Sequence, residues 1–115
     1  MTSEEPRAYT PEEVRERFLN NVIGMIAYWN GEGGSNVPKD SSSRHRLEGL
    51  AHSILVMIDG GNGFMPSFDL SPSPHPDDKQ YYKDNGENWY EPDQVMNDCQ
   101  LHEEFWAKIN SRAKE

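Results

Sequence analysis

The chain has 115 residues, with 20 Asp and Glu against 11 Lys and Arg, a formal net charge of -9, and only 34% hydrophobic residues. That length suits a single domain, and the acidic balance counts against an extended nucleic-acid footprint, which needs a basic stripe. The longest apolar run, Ile54 to Ile58, is far shorter than the ~20 residues of a membrane span, and Cys99 alone cannot make an internal disulfide.

Residues 1–9 are polar and without period, which predicts a disordered arm; they also lack the basic and apolar regions of a secretory leader. One α+β domain is expected over residues 10–115. Thr10-Pro11-Glu12-Glu13 reads as a capping box with proline at the first helical position. Val14, Phe18, Val22, Met25 and Trp29 recur at helical steps, so a helix is predicted over about 11–29. Asn30-Gly31 stops it, and the Gly- and Ser-rich stretch to Ser43 reads as a flexible connection. It is not a phosphate loop, because no Lys-Ser/Thr pair opens the next helix.

A second helix is predicted from about Ser43 to Ile58, with Leu47, Leu50, Ala51, Ile54, Leu55 and Ile58 on one broad face. His52 and Val56 lie on the opposite side. This helix is therefore either central in the domain or covered by another subunit. Asp59-Gly60 ends it. Phe64, Phe68 and Leu70 alternate, which predicts a short strand held to an edge by Pro66. The prolines at 72, 74 and 76 mark a surface loop. Gln80–Lys83 and Glu87–Tyr90 flank Asn85-Gly86, which predicts a hairpin. Asn97 with Gln100 three residues later opens a final helix carrying Leu101, Phe105 and Ile109, with Lys108, Arg112 and Lys114 toward its negative end. The expected fold is α+β, three helices packed on a small antiparallel sheet in the order α-α-β-β-β-α.

Motifs that carry chemistry are sparse. The four histidines, His45, His52, His75 and His102, include no pair closer than seven residues, so no local zinc motif forms. His75-Pro76-Asp77-Asp78 lacks the alternating oxygen ligands and central glycine of a calcium loop. Neither a metal nor a cofactor is expected. His102 stands beside Trp106 and Ile109 at the margin of an apolar face, where a half-buried imidazole serves either as a general base or as a hydrogen-bonding core residue. No Gly-x-Ser-x-Gly elbow is present. Cys99, set at the first turn of the last helix, would have its thiol pKa lowered by the helix dipole, yet it lacks a basic neighbour and reads as inert. Residues 77–98 hold seven carboxylates against two lysines, a local balance of -5, together with Tyr81, Tyr82, Trp89 and Tyr90. Aromatic and acidic residues together suit a cationic partner surface better than a phosphate backbone.

Arg46-Leu47-Glu48-Gly49-Leu50-Ala51-His52-Ser53-Ile54-Leu55 through Asp59-Gly60, then Pro66-Ser67-Phe68 and Leu101-His102-Glu103-Glu104-Phe105, resemble a pattern of small uncharacterised bacterial and phage-encoded proteins. The resemblance covers about half of the chain. It implies a cytoplasmic protein from a prophage or other mobile element and brings no catalytic residues with it. Its polar positions, Arg46, Asp59, His102 and Glu103, become the site candidates.

The function expected from these readings is that of a small, acidic, non-enzymatic binding or regulatory protein, a homodimer that modulates a host protein. It would present Tyr81, Tyr82, Trp89 and Tyr90 and the back of the second helix to its partner. The alternative is a small-molecule-sequestering protein or small hydrolase. There a pocket would pair His102 with Glu103 or Asp59 and use Arg46 for an anionic group. A concave site shared by His102 and Arg46 favours the second reading, and an exposed apolar patch favours the first.

Overall fold

A computed structural model describes residues 5–113, and its regular elements are four helices: α1 (Pro11–Trp29), α2 (Ser43–Ile58), α3 (Asp78–Asp84) and α4 (Leu101–Ala113). Residues 1–4 of the expected arm and Lys114 of the basic tail lie outside the described residues. The start of α1 follows from its cap. Glu13 N–H donates to the Thr10 hydroxyl while the Glu13 carboxylate accepts from Thr10 N–H, which satisfies two free donors reciprocally. Arg7 reaches the same carboxylate at 2.8 Å. The hydrogen bonds from Arg7 and from the Thr10 backbone hold the Glu13 carboxyl down at about 2.

Helix α2 begins at Ser42, whose hydroxyl accepts from His45 N–H. It is the shared neighbour of the fold, packed against both α1 and α4. On its back, His52 meets Trp106 of α4, while Val56 beside it lines a groove against α1. Trp29 of α1 lies across Gly49 of α2, where a Cβ would stand 2.5 Å from the indole ring. The same indole N–H donates to Ser53 Oγ at 2.8 Å. The segment between α1 and α2 is tied down rather than loose: Val37 is buried, and Arg46 donates to the carbonyl oxygens of Pro38 and Lys39.

The described residues contain no strand, so the expected α+β arrangement gives way to an all-helical one. Two local reasons account for this. Residues 80–83 belong to α3, Glu87–Tyr90 is irregular chain and not a strand, and Asn85-Gly86 ends α3 instead of turning a hairpin. Gly86 takes φ 69°, its N–H donates to Lys83 O, and Glu87 N–H donates to Tyr82 O, the paired bonds of a glycine-closed helix end. Asn-Gly suits either structure, because both need a residue at positive φ. The i to i+4 bond from Gln80 to Asp84 favours the helix.

The remaining expected strand, 64–71, is a bend at residues 64–65 followed by irregular chain, without a ladder. A side chain takes the place of a partner strand: Leu70 N–H donates to Asn97 Oδ1 at 2.7 Å, and Asn97 Nδ2 donates to Phe68 O at 2.6 Å. Asn97 is thereby committed here and does not cap α4, which starts at Leu101.

The molecule is a flat slab of 57 × 53 × 20 Å with a radius of gyration of 18.9 Å, whereas a compact domain of this length measures about 13 Å. Among the described residues, the buried hydrophobic side chains are Val37, Met57 and Met65 alone.

Candidate functional site

Two polar rungs join α2 to α4. His52 and Asp59 are seven residues apart, two turns of α2, so both face α4; His102 and Trp106 are one turn apart on α4. In the first rung Asp59, its side chain 1% exposed, accepts three hydrogen bonds. Leu101 N–H and His102 N–H each donate at 3.0 Å, and His102 Nδ1 donates at 2.6 Å. Burial pushes the Asp59 carboxyl up, but the bonds from His102 and Leu101 outweigh it and hold the acid below its usual range. The carboxylate sits at the N-terminus of α4, where two free backbone donors and the helix dipole favour a negative charge.

The second rung is the indole N–H of Trp106 donating to His52 Nδ1 at 2.8 Å. An indole nitrogen only donates, so Nδ1 is bare and the ring proton of neutral His52 resides on Nε2. Burial, and then the nearby His102, pushes the His52 pKa down. The two imidazoles meet edge to face with centroids 5.7 Å apart.

Asp59 and His102, two of the candidates, thus converge, in an arrangement that leaves His102 Nε2 as a bare acceptor when the ring is neutral. A general base of this kind needs a nucleophile within hydrogen-bond reach. Among the described residues, no hydroxyl or thiol is bonded to it. Cys99, three residues away, precedes α4 instead of lying in its first turn. Its thiol pKa is pushed up by burial and by Glu104, Asp98 and Asp59, the reverse of the shift expected from the dipole. Glu103 is exposed, and its carboxylate makes no bond to the rungs.

Arg46 stands at the other end of α2, about 20 Å from Asp59 by helical rise. Its guanidinium donates to the carbonyls of Trp29 at 2.8 Å, Pro38 at 3.1 Å, Lys39 at 3.3 Å and Ser41 at 3.4 Å. Those donors are committed to stitching the end of α1 to the connection. Arg46 and His102 share no cavity.

In the aromatic-acidic segment, Lys79 and Lys83 lie over the Trp89 ring at 5.2 and 5.3 Å, while Lys79 also pairs with Glu91 at 3.3 Å. The face offered to an external cation is thus filled from within the chain. Tyr81 and Tyr90 remain exposed, and Tyr82 packs edge to face on Tyr81.

Two hollows flank α1 on opposite sides. One, of about 280 Å³, lies between Ile26, Trp29, Leu47 and Leu50, beside Arg46. The other, a groove of about 540 Å³, has apolar walls of Met25, Tyr28, Trp29, Val56 and Phe64. Its polar lining is Asn20, Asn21, His52, Ser53 and Asn62. Neither hollow was predicted from sequence. The spacing of His52 and Asp59 was the signal that could have located the α2–α4 rungs. Among the described residues, no three His, Cys, Asp or Glu side chains gather as metal ligands, and no helix is long and apolar enough to cross a membrane. No family model, no curated protein and no solved structure matches this chain.

Proposed function

We propose that this protein is a non-catalytic binding protein that works as a homodimer, paired through the outer flank of α1. The observation that carries the reading is a stripe of exposed apolar side chains at i, i+4 and i+7: Leu19 at 52%, Ile23 at 63% and Ile26 at 49% exposure, continued by Leu47 at 66%. The stripe runs into the 280 Å³ hollow beside Leu50. A second copy is the occupant that fits, because a fold with three buried hydrophobic side chains among its described residues needs further apolar burial to hold it. Each half-exposed Leu or Ile adds about 1 kcal/mol when covered, and a twofold axis counts every contact twice.

The back of α2 argues less for a dimer, since His52 there is engaged by Trp106 of α4; the flank of α1 is the better candidate. Tyr81 and Tyr90, in the acidic segment, remain as the surface for a further partner. A cytoplasmic, phage- or prophage-encoded modulator of a host protein is the role that the size, the charge and the sequence resemblance suit.

Sedimentation velocity at micromolar concentration tests the pairing. Wild type is expected to run as a dimer, and Ile23→Asp as a monomer with its helical circular dichroism kept. A wild type that stays monomeric up to about 100 μM overturns the reading, since that concentration exceeds the dissociation constant of an interface of this kind.

A further inference from the structure

The inner flank of α1 differs in chemistry from the stripe. The groove there has about 540 Å³, within the ~300–1,000 Å³ of small-molecule sites. In a chain where 27% of residues are charged, no carboxylate, lysine or arginine among the described residues lines it. Two exposed aromatic rings, Phe64 at 71% and Tyr28 at 42%, stand on its walls.

Its polar groups have capacity to spare. Ser53 Oγ accepts from Trp29, which leaves its hydroxyl proton for another acceptor. His52 Nδ1 accepts from Trp106, which leaves the Nε2–H. Among the described residues, neither of these donors nor the Asn20 amide has a partner. Gly24 is a second, independent sign. Glycine is a poor residue for a helix interior, yet a Cβ at Gly24 would meet nothing within 4 Å. Packing within the chain does not call for glycine there. Its effect is to leave the groove open.

We propose that this groove binds a neutral, planar aromatic molecule with a ring carbonyl. The carbonyl accepts from Ser53 and His52, and the ring lies against Tyr28 and Phe64. An uncharged ligand follows from the uncharged lining, because an ionic group entering an apolar groove would lose water without gaining a counter-charge.

The test uses the full chain labelled with nitrogen-15 and three probes: 2-quinolone, naphthalene and 2-naphthoate. 2-Quinolone is expected to saturate with Kd below about 1 mM, moving the Trp29 indole N–H signal and leaving that of Trp89 in place. The two comparison probes are expected to bind at least about tenfold more weakly, for want of the hydrogen bonds or because of charge. Gly24→Leu fills the groove and is expected to weaken 2-quinolone about tenfold or more while the melting temperature holds or rises. Gly24→Ala, the milder change, is expected to raise the melting temperature and weaken the probe severalfold. No saturable shift at Trp29, equal binding by naphthalene or 2-naphthoate, or unchanged binding in both Gly24 variants each overturns the proposal. So does a dimer lost in Gly24→Leu, because the groove would then belong to a second copy. Dissociation by Ile23→Asp alone concerns the opposite flank, and that variant is expected to retain 2-quinolone binding.

Discussion

Asp59→Ala removes one carboxylate and leaves three donors without their acceptor: Leu101 N–H, His102 N–H and His102 Nδ1–H. Losing a helix cap costs about 0.5–2 kcal/mol, and each buried donor left unmet costs about 1–3 kcal/mol. A hollow of about 420 Å³ adjoins Asp59, lined also by Asn97, Cys99 and Gln100, so water reaches part of the vacated site. The low end of each range applies, for a total of about 3.5 kcal/mol. For a chain of this size that lowers the melting temperature by roughly 10–20 °C. Asp59→Asn keeps the volume but sets an amide N–H₂ among donors, and its loss is expected between wild type and Asp59→Ala. Glu103→Ala, on the exposed side of the same helix, is the control and should stay within about 0.5 kcal/mol. Urea and thermal unfolding followed by circular dichroism at pH 7 measures all three. A loss below about 0.5 kcal/mol for Asp59→Ala would refute the reasoning, since it would mean that α4 does not need the cap.

Two further outcomes are expected. Gly49→Ala places a Cβ 2.5 Å from the Trp29 ring; the indole must move, at about 1–3 kcal/mol, with a shift in tryptophan emission, and an unchanged melting curve would show that Trp29 does not seat there. The pH dependence of stability has two stages with the same sign. The pKa of folded His52 lies below its ordinary 6.5, so the unfolded chain takes up its proton first, and the stability present above pH 6.5 falls as the pH drops toward the folded value. The folded Asp59 carboxyl lies below its ordinary 3.8, so its share persists above that pH and is lost as the pH falls through the lower folded value. His102 and Trp106 are the groups packed against His52 from α4, and His52→Gln, which keeps an acceptor for Trp106, should remove the first stage and spare the second. Stability that is level or rising from pH 6.5 downward in wild type would contradict it.

The limits of α1 and α2 were legible in the sequence, because their causes are local. A capping threonine with Glu13, a capping Ser42 and glycines just past each end act within one turn, and the apolar stripes repeat at helical period. Asp59 and His102 were legible as candidates, with Asp59 and Glu103 as the two alternative partners of His102; only the folded chain brings Asp59 to it. Elsewhere the same residue types served two structures, and only long-range contacts chose between them. Asn85-Gly86 supplies positive φ to a hairpin and to a helix end alike. The alternation of Phe64, Phe68 and Leu70 promised a strand, but a strand needs a second chain segment, and the amide of Asn97 met those backbone groups instead. The cap of α4 comes from Asp59, 42 residues earlier in the chain, a distance that no local pattern encodes. Sequence by itself therefore determined where helices begin and end when the cap is a neighbour. Tertiary structure decided which buried acid meets which helix, which face of α2 is covered, and that α1 keeps an apolar stripe on one flank and an uncharged groove on the other.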